Sequence, residues 1–138
     1  MIITRLTVKE VEYIAFSLAR ELMAWDEPIP DFGTRFPNVL ESCLAVPFQT
    51  FSKKRKLNGK AAILFYLMVK NHPFENGNKR IAVMTTLVFI GRNRKWLKVS
   101  NDGLYRIAVV VAESDPKRKD EYIKVLEHFF AENIISSP

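Results

Sequence analysis

The sequence is poor in the residues that build covalent and metal-bound frameworks. Cysteine occurs once, at Cys43, which excludes an internal disulfide and a cysteine zinc cluster and suits a reducing cytosol. The two histidines, His72 and His128, are too few for most imidazole-based metal and triad patterns. The five glycines stand at 33, 59, 77, 91 and 103, too scattered for a Walker loop or a dinucleotide fingerprint. The longest apolar run, Ala61 to Val69, is about half of what a membrane crossing requires. Met1-Ile-Ile-Thr-Arg5 has neither the charged start nor the apolar stretch of a signal peptide. The expectation is a cytoplasmic domain with no membrane partner and none of the usual nucleotide motifs.

What is present is ordinary in amount and biased in charge. The 138 residues have the size of one domain, so residues 1–138 are expected to form a single unit around one core. Hydrophobic residues make up 48% and charged residues 26%. The 21 Lys and Arg against 15 Asp and Glu give a net charge of +6. Such a surface favours a nucleotide, a nucleic acid or an acidic protein face, without choosing among them.

Helical periodicity dominates the chain. Thr7 and Glu10 have the spacing of a capping box, and Val8, Val11, Ile14, Ala15, Leu18 and Leu22 follow as one stripe, predicting a helix over 8–25. Residues 26–36, with two prolines and a glycine, read as a loop. Pro37 opens a short helix over 38–46, which Pro47 ends. Residues 47–57 lack a stripe and combine Phe48 and Phe51 with four consecutive cations, Lys53 to Lys56, predicting an exposed loop or hairpin. A central helix, apolar on nearly every side, runs from Asn58 as its cap to Val69. Further helices are predicted over 78–92, 102–113 and 118–132, with Trp96 to Val99 as an extended link and 136–138 as a frayed tail. The fold class is all-α: a compact single-domain helical bundle with a short flap hairpin or loop.

The informative contrast is the polar loop His72-Pro-Phe-Glu-Asn-Gly-Asn-Lys-Arg80 between two apolar helices. Gly77 permits a tight turn, after which the first amides of the next helix face outward at the positive end of its dipole. That terminus is an anion site, to which Lys79 and Arg80 add cations, Arg80 with a planar fork. His72 at the rim has the chemistry to take a proton from a hydroxyl. On physical grounds the loop is either a phosphoryl or nucleotidyl transfer site or a solvated turn.

The loop resembles the signature of the Fic/Doc family, in its Doc, or death-on-curing toxin, branch. The branch pattern is His-x-Phe-x-Asp/Asn-Ala/Gly-Asn-Lys-Arg, and every constrained position matches. Gly33-Thr-Arg35, Leu40-Glu-Ser-Cys-Leu-Ala45, Pro47-Phe-Gln49, Leu87-Val-Phe-Ile90 and Leu104-Tyr-Arg-Ile-Ala108 extend the likeness over about 31–130. The resemblance implies a fold of the Fic/Doc type and ATP as substrate. It makes His72 the general base acting on a target hydroxyl, Phe74 a core anchor and Asn76 the residue that helps to hold Mg²⁺. Gly77, Asn78, Lys79 and Arg80 become the phosphate site. The loop over 47–57, with Phe48, Gln49, Thr50, Phe51, Lys53 and Lys54, corresponds to the flap that aligns the target segment.

Two departures from the Fic pattern bear on the reaction. Fic adenylyltransferases carry glycine where this chain has Lys79 and a second arginine where it has Val83. In the Doc branch these changes accompany a reversed nucleotide, so the resemblance implies transfer of the γ-phosphate to a protein hydroxyl. Its target would be elongation factor Tu, and the consequence inhibited translation. Adenylyl transfer by the same loop and a catalytically weak binding module are the alternatives. The amide of Asn76 is a neutral ligand where Mg²⁺ favours carboxylates and phosphates, so reduced activity is expected. The inhibitory helix motif is only partly matched, by Ser17 and Glu21 followed by Leu22, which implies a separate Phd-like antitoxin. The cations Lys53 to Lys56 are short and lie outside any recognised nucleic-acid fold, so nucleic acid is not expected as a partner. His128 is read as a helix-surface residue and Cys43 as a small core residue.

Overall fold

The computed structural model describes residues 2–22, 29–49 and 55–136. Thr7 opens the first helix: its side chain accepts from the Glu10 amide while Glu10 Oε1 accepts from the Thr7 amide, a complete capping box. The helix, α1, spans 8–22 in three continuous stretches: Val8–Glu10, a wider π-helical stretch over Val11–Phe16, and Ser17–Leu22. The end expected near residue 25 lies outside the described residues. A 3₁₀ turn at Phe32–Thr34 precedes α2, Pro37–Ala45, which has Pro37 at its first turn and runs into a second 3₁₀ turn, Val46–Phe48.

The central helix, α3, spans Leu57–Lys70 and buries every residue from Leu57 to Val69 except the half-buried Asn58. It starts one residue earlier than the expected Asn58 cap. Lys56 takes the cap position in extended conformation, because Leu57 is already drawn into the core. Asn58 instead donates through Nδ2 to the Glu127 carbonyl at 3.3 Å. Around α3 pack α4, Asn78–Arg92, then α5, Asn101–Ala112, and α6, Lys119–Asn133. Ser100 caps α5 by accepting from the Gly103 amide. Phe65 on α3 meets Phe130 on α6 edge-on at 5.9 Å.

The all-α expectation holds, with one addition. The extended link forms a strand, β1, over Lys95–Leu97, which pairs antiparallel with β2, Ile134–Ser136. Ser136, expected in a frayed tail, lies opposite Lys95. A buried Asn93 ties down the N-terminal segment: its Nδ2 donates to the carbonyls of Thr4 and Phe89, and its Oδ1 accepts from the Thr4 amide. Cys43 and Phe74 are in the core as expected, and the His128 side chain is 79% exposed beside Glu132.

Candidate active site

The loop that joins α3 to α4 is built from alternating inward and outward residues. After Asn71 closes α3, His72 takes a left-handed conformation, φ 51°, that turns the chain sharply and leaves its side chain exposed. Pro73 and Phe74 are buried, Glu75 and Asn76 are exposed, and Gly77 is buried again at the start of α4. Phe74 fills an aromatic cluster, 5.4 Å from Phe16 of α1 and 5.8 Å from Phe32. Burial of this ring fixes the loop to the core, and the chain before α2 adds a backbone bond from the Phe36 amide to the Pro73 carbonyl at 2.9 Å.

Gly77 stands at φ 71° and ψ 15°, a left-handed residue at the N-cap of α4. A Cβ here would come within 2.8 Å of Ile29 Cδ1 and 3.8 Å of Arg80 Nη2. The turn therefore needs glycine on conformational grounds, and the Arg80 guanidinium curls back beside it. Arg80 is buried at 2% exposure, Lys79 is half-buried, and both follow at the positive end of the α4 dipole.

Asn78 is placed differently from its neighbours. Its side chain faces the loop and uses both ends: Oδ1 accepts from the Phe74 amide at 3.0 Å and Nδ2 donates to the Phe74 carbonyl at 2.8 Å. The same Nδ2 lies 3.3 Å from His72 Nδ1. At 7% exposure this amide clamps the turn, so any part of Asn78 in a phosphate site falls to its backbone N–H. The sequence pattern names the residue without revealing that its side chain staples the loop.

The structure brings His72, Asn76, Gly77, Asn78, Lys79 and Arg80 together at the α3–α4 junction. The segment expected as a flap sits elsewhere as far as it is described. Phe48 is half-buried, edge-on to Phe89 at 6.0 Å and under Lys60 Nζ at 5.0 Å, and Gln49 is exposed. Thr50, Phe51, Lys53 and Lys54 lie outside the described residues. The described chain that touches the α3–α4 loop is Phe16 of α1 together with 29–36, through Ile29, Phe32 and Phe36. Two phenylalanines in an otherwise polar, proline-bearing stretch were the signal for it. The cleft of about 680 Å³ lined by Phe48, Arg55, Lys56, Lys60 and Lys95 opens at the start of α3. It is one helix length, roughly 21 Å, from the loop. Burial there pushes the Lys60 ammonium below its ordinary value, and the Arg55 guanidinium adds to the effect.

Among the described residues no three His, Cys, Asp or Glu side chains converge as a metal site, and no helix is long and apolar enough to cross a membrane. The exposed Asn76 fits a hard divalent cation that arrives on nucleotide phosphates, since such ions need only one or two protein oxygens beside phosphate and water.

A helical fold that presents a histidine, a glycine turn and two cations at one helix start has the chemistry to hold an anion and to accept a proton beside it. A model of the Fic/DOC family matches residues 6–90, well over half of the chain, and the protein belongs to that family. Its activity class is accordingly that of a transferase acting on proteins with nucleotide substrates. No individual curated protein and no solved structure matches the chain.

Proposed function

We propose that this protein is a Doc-type toxin kinase that transfers the γ-phosphate of ATP to a hydroxyl side chain of a target protein. Elongation factor Tu is the target that the resemblance suggests, and inhibition of translation is the outcome. The supporting observation is position 83. Val83, a residue of α4 itself, is fully buried on the core side of that helix, where the Fic pattern would place a second arginine clamp, and Lys79 replaces the glycine that lets phosphate approach the backbone. A site with one arginine and a lysine suits the reversed nucleotide of the Doc branch.

In this reading His72 takes the proton of the attacking hydroxyl, and the first-turn amides of α4, with Lys79 and Arg80, hold the phosphates in line. The Asn76 carbonyl oxygen would hold Mg²⁺, which neutralises phosphate charge when bound. The partially matched inhibitory motif on α1 leaves control to a Phd-like antitoxin, and the setting is cytoplasmic. Incubating elongation factor Tu with the protein, ATP and Mg²⁺ and weighing the product tests the reading. A phosphate increment supports it, an AMP increment replaces it with adenylyl transfer, and no increment favours the binding module.

A further inference from the structure

We infer that Asn78 is a positioning residue that sets the tautomer of His72 and covers its basic nitrogen in the resting loop. The inference rests on His72 as the base only for its catalytic consequence; the tautomer itself follows from geometry.

The two bonds to Phe74 determine which end of the Asn78 amide is which. Oδ1 accepts from the Phe74 N–H and Nδ2 donates to the Phe74 carbonyl. A flipped amide would set donor against donor and acceptor against acceptor, so Nδ2 is the atom 3.3 Å from His72 Nδ1. Nδ2 carries two hydrogens, one for the Phe74 carbonyl and one for the imidazole. A donor facing Nδ1 requires a lone pair there, which puts the proton of the neutral ring on Nε2. The one nitrogen able to accept a proton is then Nδ1, and Asn78 sits on it.

The contact is suited to yielding. At 3.3 Å it is at the long end of the hydrogen-bond range, whereas the bonds to Phe74 are 3.0 and 2.8 Å. A target hydroxyl that displaces Asn78 from Nδ1 breaks one weak bond and leaves the loop clamp intact. The hydroxyl proton then passes to Nδ1 and forms the imidazolium as the oxygen bonds to the γ-phosphorus of ATP, the bond from that phosphorus to the β–γ bridging oxygen breaks, and ADP leaves with the electron pair.

The test is ¹⁵N spectroscopy of the imidazole rings at a pH where they are neutral, with His128→Gln assigning the two histidines. In the wild type, His72 Nδ1 should be pyridine-like and Nε2 pyrrole-like. Asn78→Asp replaces the donor with an acceptor and should reverse the pattern. Asn78→Ala, which removes the donor from Nδ1 together with both bonds to Phe74, should draw the two shifts together as tautomers average, with the urea midpoint showing that the variant remains folded. A protonated Nδ1 in the wild type overturns the inference, as do spectra unchanged in both variants. Full transfer activity in His72→Ala would remove the base assignment and leave the tautomer result standing, so the two failures are distinguishable.

Discussion

Replacing Gly77 by alanine separates two effects that the turn superimposes. The first is backbone strain: an L-residue held in the left-handed region costs about 1–2 kcal/mol, and Gly77 is held at φ 71°. The second is contact, since the new Cβ would stand 2.8 Å from Ile29 Cδ1. That atom ends a flexible side chain, so relief by rotation costs about 0.5–1.5 kcal/mol. Against these, alanine narrows the unfolded ensemble by about 0.4–1 kcal/mol. The net loss is about 0.5–3 kcal/mol, read as a lower urea midpoint at unchanged slope. In an Ile29→Ala background the contact disappears, and Gly77→Ala should cost less by about 0.5–1.5 kcal/mol, the coupling of the pair. Gly77→Asn should suffer less backbone strain, because asparagine visits the left-handed region more readily. A Gly77→Ala midpoint equal to wild type would refute the strain argument. Equal losses in both backgrounds would refute the contact with Ile29.

His72→Ala should lower target modification by about 10²–10⁴ while leaving the urea midpoint nearly unchanged, and a fully active variant removes the base assignment. Val83→Arg should destabilise the fold by about 3 kcal/mol or more, because position 83 is fully buried, and a midpoint equal to wild type would show that the side chain escapes to solvent. The donor is therefore better tested by Lys79→Gly alone, expected to shift the product from phosphate toward AMP; unchanged phosphate transfer would mean that nucleotide orientation is set elsewhere. Asn76→Asp should lower the half-maximal Mg²⁺ for activity by adding a carboxylate ligand, and an unchanged Mg²⁺ titration would exclude position 76 from the metal site. Burial pushes the Cys43 thiol from 9.0 up to about 12. Between those values the unfolded chain has lost a proton that the folded chain keeps, so stability should fall as pH rises, by up to about 1.4 kcal/mol per unit. Cys43→Ala should flatten that part of a pH series of urea midpoints, and an identical slope in the variant would contradict the assignment.

The helices were readable because their causes are local. The Thr7–Glu10 capping box, Pro37 at a helix start and the apolar run through Val69 each act within a turn or two of chain. The turn between α3 and α4 was readable for the same reason: glycine before a helix start and adjacent cations are a short-range pattern. Cys43 and Phe74 also went to the core as their apolar surroundings required.

What the tertiary structure decided are pairings between residues far apart in the chain. No local signal in Trp96 or Leu97 foretells that they pair with Ile135 and Ile134, because a strand is completed only by its partner. Asn58 has the character of a cap, but the burial of Leu57 moved the helix start and turned Asn58 toward α6. Side-chain amides were the least legible group. Nothing in the sequence marks the side chains of Asn78 and Asn93 as inward-facing, yet each is buried and satisfies backbone groups at both ends of its amide. Their role depends on which carbonyl and N–H groups the packed helices bring within 3 Å, and composition and periodicity carry no record of that. The same limit applies at position 83. The sequence shows a missing arginine; only the packing of α4 against the core shows that the position it left is closed.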